Sequence, residues 1–219
     1  MRLKSGFIIS VSGLDGVGKS TLINQLAEKM ETLSIPATTF QLHLGFTPRM
    51  KRLRSKFFRE RKSNSSHDAQ TPVRKPIKSI LSSEIYKYLS ILDQILTFIQ
   101  IQYLKKRGER LIVDRYYWDN WIIYIDKFGK PNFFMDPLWK IIKFVAGDPT
   151  LAFMLTLPPE ETYQRIYARK PGKQEQTLET LRHREKLYRA LNIKNIIHID
   201  AAKTREEILS EVWSYIEKI

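Results

Sequence analysis

The chain has 219 residues, of which 42% are hydrophobic, and a formal net charge of +14. This size and composition favour one globular domain that spans residues 1–219. The absence of cysteine excludes a disulfide framework and a thiolate metal site, and it fits a reducing, cytoplasmic location.

The first predicted element is a short apolar strand, Phe7–Val11, which runs into the segment Gly13–Ser20 and then a helix. The segment reads GLDGVGKS and fits the phosphate-binding pattern G-x-x-x-x-G-K-[ST] at every fixed position. A strand, a glycine turn and a helix N-terminus in this order aim backbone N–H groups and a positive helix dipole at one point. We expect Lys19 to reach the β- and γ-phosphates of a bound polyphosphate, and the Ser20 hydroxyl to bind Mg²⁺. The alternative, a glycine turn that binds nothing, does not explain this context.

A second strand is predicted at 37–44, and a basic insertion, 46–80, follows it. Between Phe46 and Ile80 there are eleven Lys or Arg residues against two acidic ones, and most lie between Arg49 and Lys62. We expect this insertion to be flexible. Its positive charge suits the phosphates of a substrate, nucleic acid or an anionic membrane surface, and a solvated basic face without a specific partner is an equal alternative.

A long helix is predicted from residue 80 onwards. One face of it carries apolar residues at helical spacing, namely Ile85, Leu89, Leu92, Leu96, Ile99 and Tyr103. Ile91, Ile95 and Phe98 widen this apolar stripe, so we expect most of the circumference of the helix to be buried. Asp93 and several glutamines interrupt the apolar tract, so a buried helix explains it better than a membrane span.

The remaining pattern alternates strands with helices. Strands are predicted at 111–114, 150–157 and 196–200, and helices at 118–127, 137–145, 160–169, 178–191 and after the possible capping box of Thr204 and Glu207. This alternation predicts an α/β fold with a parallel sheet covered by helices on both faces.

The strand at 111–114 ends in Asp114, and Arg115 follows at once. Beside a phosphate-binding loop, such an Asp can hold Mg²⁺ and the Arg can bind the phosphate of an acceptor. The alternative is an Asp that only caps the next turn.

Several motifs together resemble those of thymidylate kinases. They are Gly13–Thr21, Asp114-Arg115-Tyr116, Leu157-Pro158-Pro159-Glu160 with Arg165 and Arg169, and Ile199-Asp200-Ala201-Ala202. The resemblance implies a three-layer P-loop kinase fold with a five-stranded parallel sheet and a helical lid at about 165–178. It also implies ATP as donor, Mg²⁺ as cofactor, and Asp15 and Arg115 near the acceptor, and it is compatible with a homodimer. The residues that we expect to bind the nucleotide are Gly13, Asp15, Gly16, Gly18, Lys19, Ser20 and Thr21.

Phosphoryl transfer needs cations close to the migrating group. Some thymidylate kinases place an arginine inside the loop, but this loop has none. Arg165 and Arg169, four residues apart on one helical face, are therefore predicted to close over the reaction as catalytic residues with Lys19, Asp114 and Arg115. A plain solvated helix is the alternative.

The acceptor side departs from the family pattern. The loop after the second strand reads Gly45-Phe46-Thr47-Pro48-Arg49, in which Arg49 is the candidate for binding the acceptor phosphate. The base-stacking Phe and the Arg of the family fall at Ser90 and Gln94. Its Ser and Gln fall near Asp119 and Tyr124, which makes Asp119 an acceptor-binding candidate.

The leading hypothesis is an ATP- and Mg²⁺-dependent phosphotransferase that acts on a nucleoside monophosphate. A kinase of a nucleoside, sugar or other hydroxyl compound is the second hypothesis, and it needs Asp15 or Asp119 as a base. A different class, an ATP-switched protein that binds nucleic acid or a membrane surface, would use Phe57-Phe58 within the basic stretch.

Overall fold

The computed structural model describes residues 6–42, 77–129, 135–169, 176–191, 193 and 195–219. Within these ranges the strands are β1 (Phe7–Gly13), β2 (Thr38–Gln41), β3 (Arg110–Asp114), β4 (Leu151–Thr156) and β5 (Ile196–Asp200). The helices are α1 (Lys19–Thr32), α2 (Ile77–Lys106), α3 (Tyr117–Phe128), α4 (Met135–Ala146), α5 (Pro159–Arg169), α6 (Leu178–Ala190) and α7 (Arg205–Ile216). Arg49 and most of the predicted insertion lie outside the described residues, as do residues 170–175 of the predicted lid.

The five strands form one parallel sheet in the order β2-β3-β1-β4-β5, which confirms the predicted α/β fold. The central strand β1 pairs Val11 with Asp114 of β3 and Gly13 with Leu155 of β4. Because all strands run the same way, their carboxyl ends meet at one edge. This register therefore brings the glycine loop and the Asp114-Arg115 pair together.

Each face of the sheet carries its own hydrophobic layer. Phe7, Ile9 and Val11 of β1 pack with α1 and α7, whereas Ile8 points to the opposite layer with α2, α3 and α4. The alternation follows from the two-residue period of a strand. Burying one such large aliphatic side chain contributes about 2 kcal/mol, so β1 is held from both sides.

The predicted burial of α2 is confirmed for Ile91 and Phe98 but wrong for the face that carries Leu92. Leu92, Leu96, Ile99 and Tyr103 are each about half exposed, at 49%, 55%, 50% and 57%. Helix α2 is apolar on two sides, and its other side, which carries Phe98, packs into the core. Among the described residues, no helix combines the length and the apolar character that crossing a membrane requires.

Candidate active site

The phosphate-binding loop lies between β1 and α1, as its sequence predicts. Gly13, Gly16 and Gly18 have φ values of 136°, 91° and 104°, which side chains rarely adopt. A Cβ on Gly16 would also lie 2.7 Å from Cγ1 of Ile166 in α5. The loop therefore packs directly on α5, the helix that carries Arg165 and Arg169.

Lys19, the first residue of α1, is buried and folds back over the loop. Its Nζ donates hydrogen bonds to the carbonyl oxygens of Gly13 at 2.9 Å and Leu14 at 2.6 Å. Burial, followed by the charge of Arg115, lowers the pKa of Lys19 to about 8, although nearby carboxylates oppose this. A bound phosphate would add negative charge beside this ammonium group and would favour its charged form.

Asp15 is the electrostatic centre of the loop. Its carboxylate accepts hydrogen bonds from Arg115 and Gln176, lies 3.3 Å from Nη1 of Arg184, and is 3.9 Å from Nζ of Lys19. Burial alone would raise the pKa of Asp15, but the charges of Arg115 and Lys19 and the hydrogen bonds from Gln176 and Arg115 lower it to about 2. The carboxylate is therefore ionised and a weak base at neutral pH.

Arg115 reaches the loop because of an unusual backbone conformation. Its φ is 72°, in the left-handed region, and its backbone N–H donates to the carbonyl oxygen of Val11 at 2.9 Å. Burial opposes the charge on Arg115, but the carboxylates of Asp15, Asp119 and Asp114 together with Tyr188 outweigh it, so the pKa of Arg115 is raised. Strained backbone at such a position is typical of functional sites.

Asp114 has a free coordination position. It is 7% exposed; Oδ2 accepts a hydrogen bond from Gln41 at 3.2 Å, and Oδ1 is buried without a partner among the described residues. Ser20 lies exposed at the start of α1. A carboxylate oxygen and a hydroxyl are ligands that suit Mg²⁺. No group of three His, Asp or Glu side chains within the described ranges could hold a metal ion, so these two side chains would hold Mg²⁺ together with non-protein ligands such as water or phosphate oxygens.

Asp119 is not accessible to an acceptor in this structure. It is fully buried, and its carboxylate accepts hydrogen bonds from Ser12 Oγ at 2.6 Å, the Tyr116 N–H at 2.7 Å and Tyr188 OH at 2.5 Å. The Gly13 N–H also points at it, at 3.4 Å. In this structure Asp119 caps α3 and connects β1 to α6, and its role in acceptor binding stays a prediction. A short polar residue three positions inside a helix is a common capping residue, so its sequence position was ambiguous.

Arg165 and Arg169 line a cavity of about 550 Å³ beside the glycine loop. The other lining residues include Gly16, Gly18, Thr21 and Lys203. Nη1 of Arg165 donates to the carbonyl oxygen of Ala201 at 3.1 Å, after β5. Their predicted closure over the reaction stays a prediction, because the segment that follows Arg169 lies outside the described residues.

Ser90 and Gln94, at which the base-stacking Phe and the Arg of the family fall, form a buried polar cluster with Asn120. Ser90, Gln94 and Asn120 are at most 3% exposed, and the Asn120 amide donates to Gln94 Oε1 at 3.1 Å. Ser90 Oγ, Gln94 Nε2 and Asn120 Oδ1 have no partner among the described residues. Tyr124 packs against Trp139 instead, with ring centroids 5.5 Å apart.

Sequence reasoning missed Arg184, Gln176 and Tyr188, which all contact the loop or its supports. Leu181, Arg184 and Tyr188 share one face of α6, and the structure buries the first two. A cation on the apolar face of a predicted helix was the available signal, because a buried guanidinium requires partners.

The fold and the site define a class of protein. A parallel sheet with a glycine loop between β1 and α1, a lysine over the loop, and an Asp-Arg pair at the end of the adjacent strand is the architecture of a P-loop phosphotransferase. A sequence profile of the family "Thymidylate kinase" matches residues 11–212. The chain belongs to the thymidylate kinase family and is a nucleotide kinase-like enzyme.

Individual relatives agree with this assignment along the whole chain. The thymidylate kinase of Leptospira borgpetersenii is 27% identical over 220 residues, which cover 96% of this chain and 93% of the relative. The probable thymidylate kinase 1 of Saccharolobus solfataricus is 24% identical over 212 residues, with 96% and 97% covered. The solved thymidylate kinase of Candida albicans superposes with a TM-score of 0.61 over 99% of this chain and 93% of that chain, at 19% identity. The last comparison supports the fold.

Proposed function

We propose that this chain transfers the γ-phosphate of ATP to the phosphate of a nucleoside monophosphate, and that dTMP is the first acceptor to test. One observation carries the proposal: the buried Lys19, the buried Asp114 with its unpartnered oxygen, and Arg115 converge on one glycine loop. The expected cytoplasmic location stays a prediction, which fractionation of expressing cells would check.

The donor side follows from the loop and the adjoining cavity. The backbone N–H groups of the loop and the N-terminus of α1 would hold the triphosphate, with Lys19 between the β- and γ-phosphates. The cavity lined by Arg165, Arg169 and Lys203 adjoins Thr21, so it would receive the nucleoside part of ATP. Ser20 and Asp114 would hold Mg²⁺, which would supply positive charge against the phosphates of ATP.

The acceptor side favours a phosphate nucleophile over a hydroxyl. A monophosphate oxygen is already ionised and needs no strong base, whereas a hydroxyl acceptor needs a carboxylate that can take a proton. Asp119 is buried and hydrogen-bonded, and the pKa of Asp15 is about 2, so neither suits that role. Arg115 would bind the acceptor phosphate after leaving Asp15.

Gln94 and Asn120 are at most 3% exposed, so the base of an acceptor does not reach their amides in this structure. The choice of dTMP as the first acceptor to test rests on the family to which the chain belongs.

The test is ADP release with dTMP, dUMP, dCMP, dAMP, dGMP and thymidine as acceptors. We expect turnover with a pyrimidine monophosphate and none with thymidine. Lys19→Ala should lower kcat at least a hundredfold, while Lys106→Ala, on the exposed end of α2, should match the wild type. Turnover that is unchanged in Lys19→Ala across the panel would refute the proposal.

The roles of Arg165 and Arg169 have a separate test. If they stabilise the transferring phosphate, Arg165→Ala and Arg169→Ala should lower kcat more than they raise the KM for ATP. Arg189→Ala, exposed on α6 and paired with Glu185, is the control. A rise in KM for ATP at unchanged kcat would make both residues simple nucleotide ligands.

We also propose that the chain forms a homodimer through the exposed apolar side of α2 and α4. This surface consists of Tyr88, Leu92, Leu96, Ile99 and Tyr103 of α2 with Ile141 and Phe144 of α4, and Phe144 is 87% exposed. Together these side chains present on the order of 700 Å² of accessible area, close to one partner's share of a standard interface. Light scattering after gel filtration should show a dimer, and Leu96→Glu should yield a monomer; a monomeric wild type would refute this point.

A further inference from the structure

Arg184 is a buried cation that connects the loop to the helix after the lid segment. The residue is 9% exposed and lies in the middle of α6. Its Nε and Nη2 donate to the same oxygen, Oδ2 of Asp126, at 2.9 and 2.8 Å. Its remaining nitrogen, Nη1, donates to Oδ2 of Asp15 at 3.3 Å. One guanidinium is therefore shared between two carboxylates.

The three charged groups come from three different elements. Asp126 lies in the last turn of α3, Asp15 in the glycine loop, and Arg184 in α6. Gln176, two residues before α6, donates to the same oxygen of Asp15 as Arg184 does. The segment from Gln176 to Arg184 therefore determines where the Asp15 carboxylate points.

Arg115 is the closest cation to Asp15, and under the proposed function it must also bind the acceptor phosphate. A guanidinium that binds a phosphate with two hydrogen bonds turns those donors away from its former partner. Asp15 would then be a partly buried carboxylate beside an incoming anion, which is an unfavourable arrangement. A second cation that stays on Asp15 removes this conflict.

We infer that Arg184 is a positioning residue that holds the Asp15 carboxylate in place while Arg115 moves from Asp15 to the acceptor phosphate. This inference rests on the proposed function. The two hydrogen bonds to Asp126 fix the guanidinium plane and thereby direct Nη1 at Asp15. Asp126 acts through Arg184 and, like it, is not expected to touch the acceptor.

The test compares Arg184→Met and Arg184→Lys with the control Arg182→Met. Arg182 lies on the exposed side of the same helix and pairs with Glu160, away from Asp15. In Arg184→Met we expect the KM and the Kd for dTMP to rise at least tenfold, with the KM for ATP changed less than twofold. Arg184→Lys keeps the positive charge but lacks the planar guanidinium with its several fixed donors. It should therefore bind dTMP more tightly than Arg184→Met and less tightly than the wild type. The control should match the wild type.

Asp126→Asn provides the second variant in case Arg184→Met does not fold. It should raise the KM for dTMP by a smaller factor, and its effect should not add to that of Arg184→Lys in the double variant. A folded variant of Arg184 or Asp126 with an unchanged KM and Kd for dTMP overturns the inference, as does an equal rise in the KM for ATP. If the wild type binds no nucleoside monophosphate in the acceptor panel, the proposed function fails first, and the inference fails with it.

Discussion

Asp15→Asn removes the carboxylate on which Arg115, Arg184 and Lys19 converge. The folded pKa of Asp15 is about 2, against 3.8 for an ordinary Asp. One pKa unit corresponds to about 1.4 kcal/mol, so the ionised carboxylate stabilises the fold by about 2 kcal/mol at neutral pH. The side chain is 29% exposed, and solvent screening places the value at or below this figure.

The sign of the pH dependence follows from the lowered pKa. Above the unfolded pKa the full contribution is present, and it is lost as the pH falls through the folded pKa. The difference in free energy of unfolding between the wild type and Asp15→Asn should be about 2 kcal/mol at pH 7, about 1 kcal/mol at pH 3 and under about 0.5 kcal/mol at pH 2.

Urea unfolding of both proteins between pH 2 and pH 7 measures this difference directly, because the other titrating groups cancel. Asp148→Asn, at an exposed position, is the control and should change the free energy of unfolding by less than about 0.5 kcal/mol. A difference that does not vary with pH, or no loss at pH 7, would refute the account of Asp15 as a carboxylate held by cations.

Three further predictions concern the loop and its supports. The folded pKa of Lys19 is about 8, so the unfolded state binds more protons than the folded state above that pH. In urea titrations, the free energy of unfolding of the wild type should therefore rise by up to about 3 kcal/mol relative to Lys19→Met between pH 8 and 10.5. The same pH dependence of this free energy in both proteins would contradict the prediction. Gly16→Ala should cost about 1–3 kcal/mol more than Gly18→Ala in urea unfolding, since both glycines have positive φ but only a Cβ on Gly16 meets Ile166. Asp119→Asn should lower the free energy of unfolding by about 2–4 kcal/mol in thermal or urea unfolding, because it disrupts a buried hydrogen-bonded carboxylate. Unchanged stability together with lost activity would instead support Asp119 as the base of the reaction.

The local pattern of the sequence was sufficient for most of the fold. The strand before Gly13, the helix after Lys19 and the capping box of Thr204 and Glu207 all occur where they are predicted. These features depend on periodicity, backbone preferences and contacts within a few residues. For α2 the same reasoning failed in part, because periodicity reveals an apolar face but not which of two apolar faces meets the sheet.

The acceptor side depended on contacts that no local pattern encodes. Asp15 meets Arg115 and Arg184 across 100 and 169 residues of chain. The family pattern placed Arg115 near the acceptor, but the position of Arg184 on the apolar face of α6 did not reveal its partners, and nothing pointed to the burial of Asp119.

The sequence by itself therefore determined the fold class, the phosphate-binding loop and the family of this protein. Only the tertiary structure decided which charged groups contact one another and which of them are buried. The physical reason is that the chemistry of a carboxylate or a guanidinium is set by its neighbours and its burial. Those neighbours are brought together by the parallel sheet, whose strand order differs from the order of the chain.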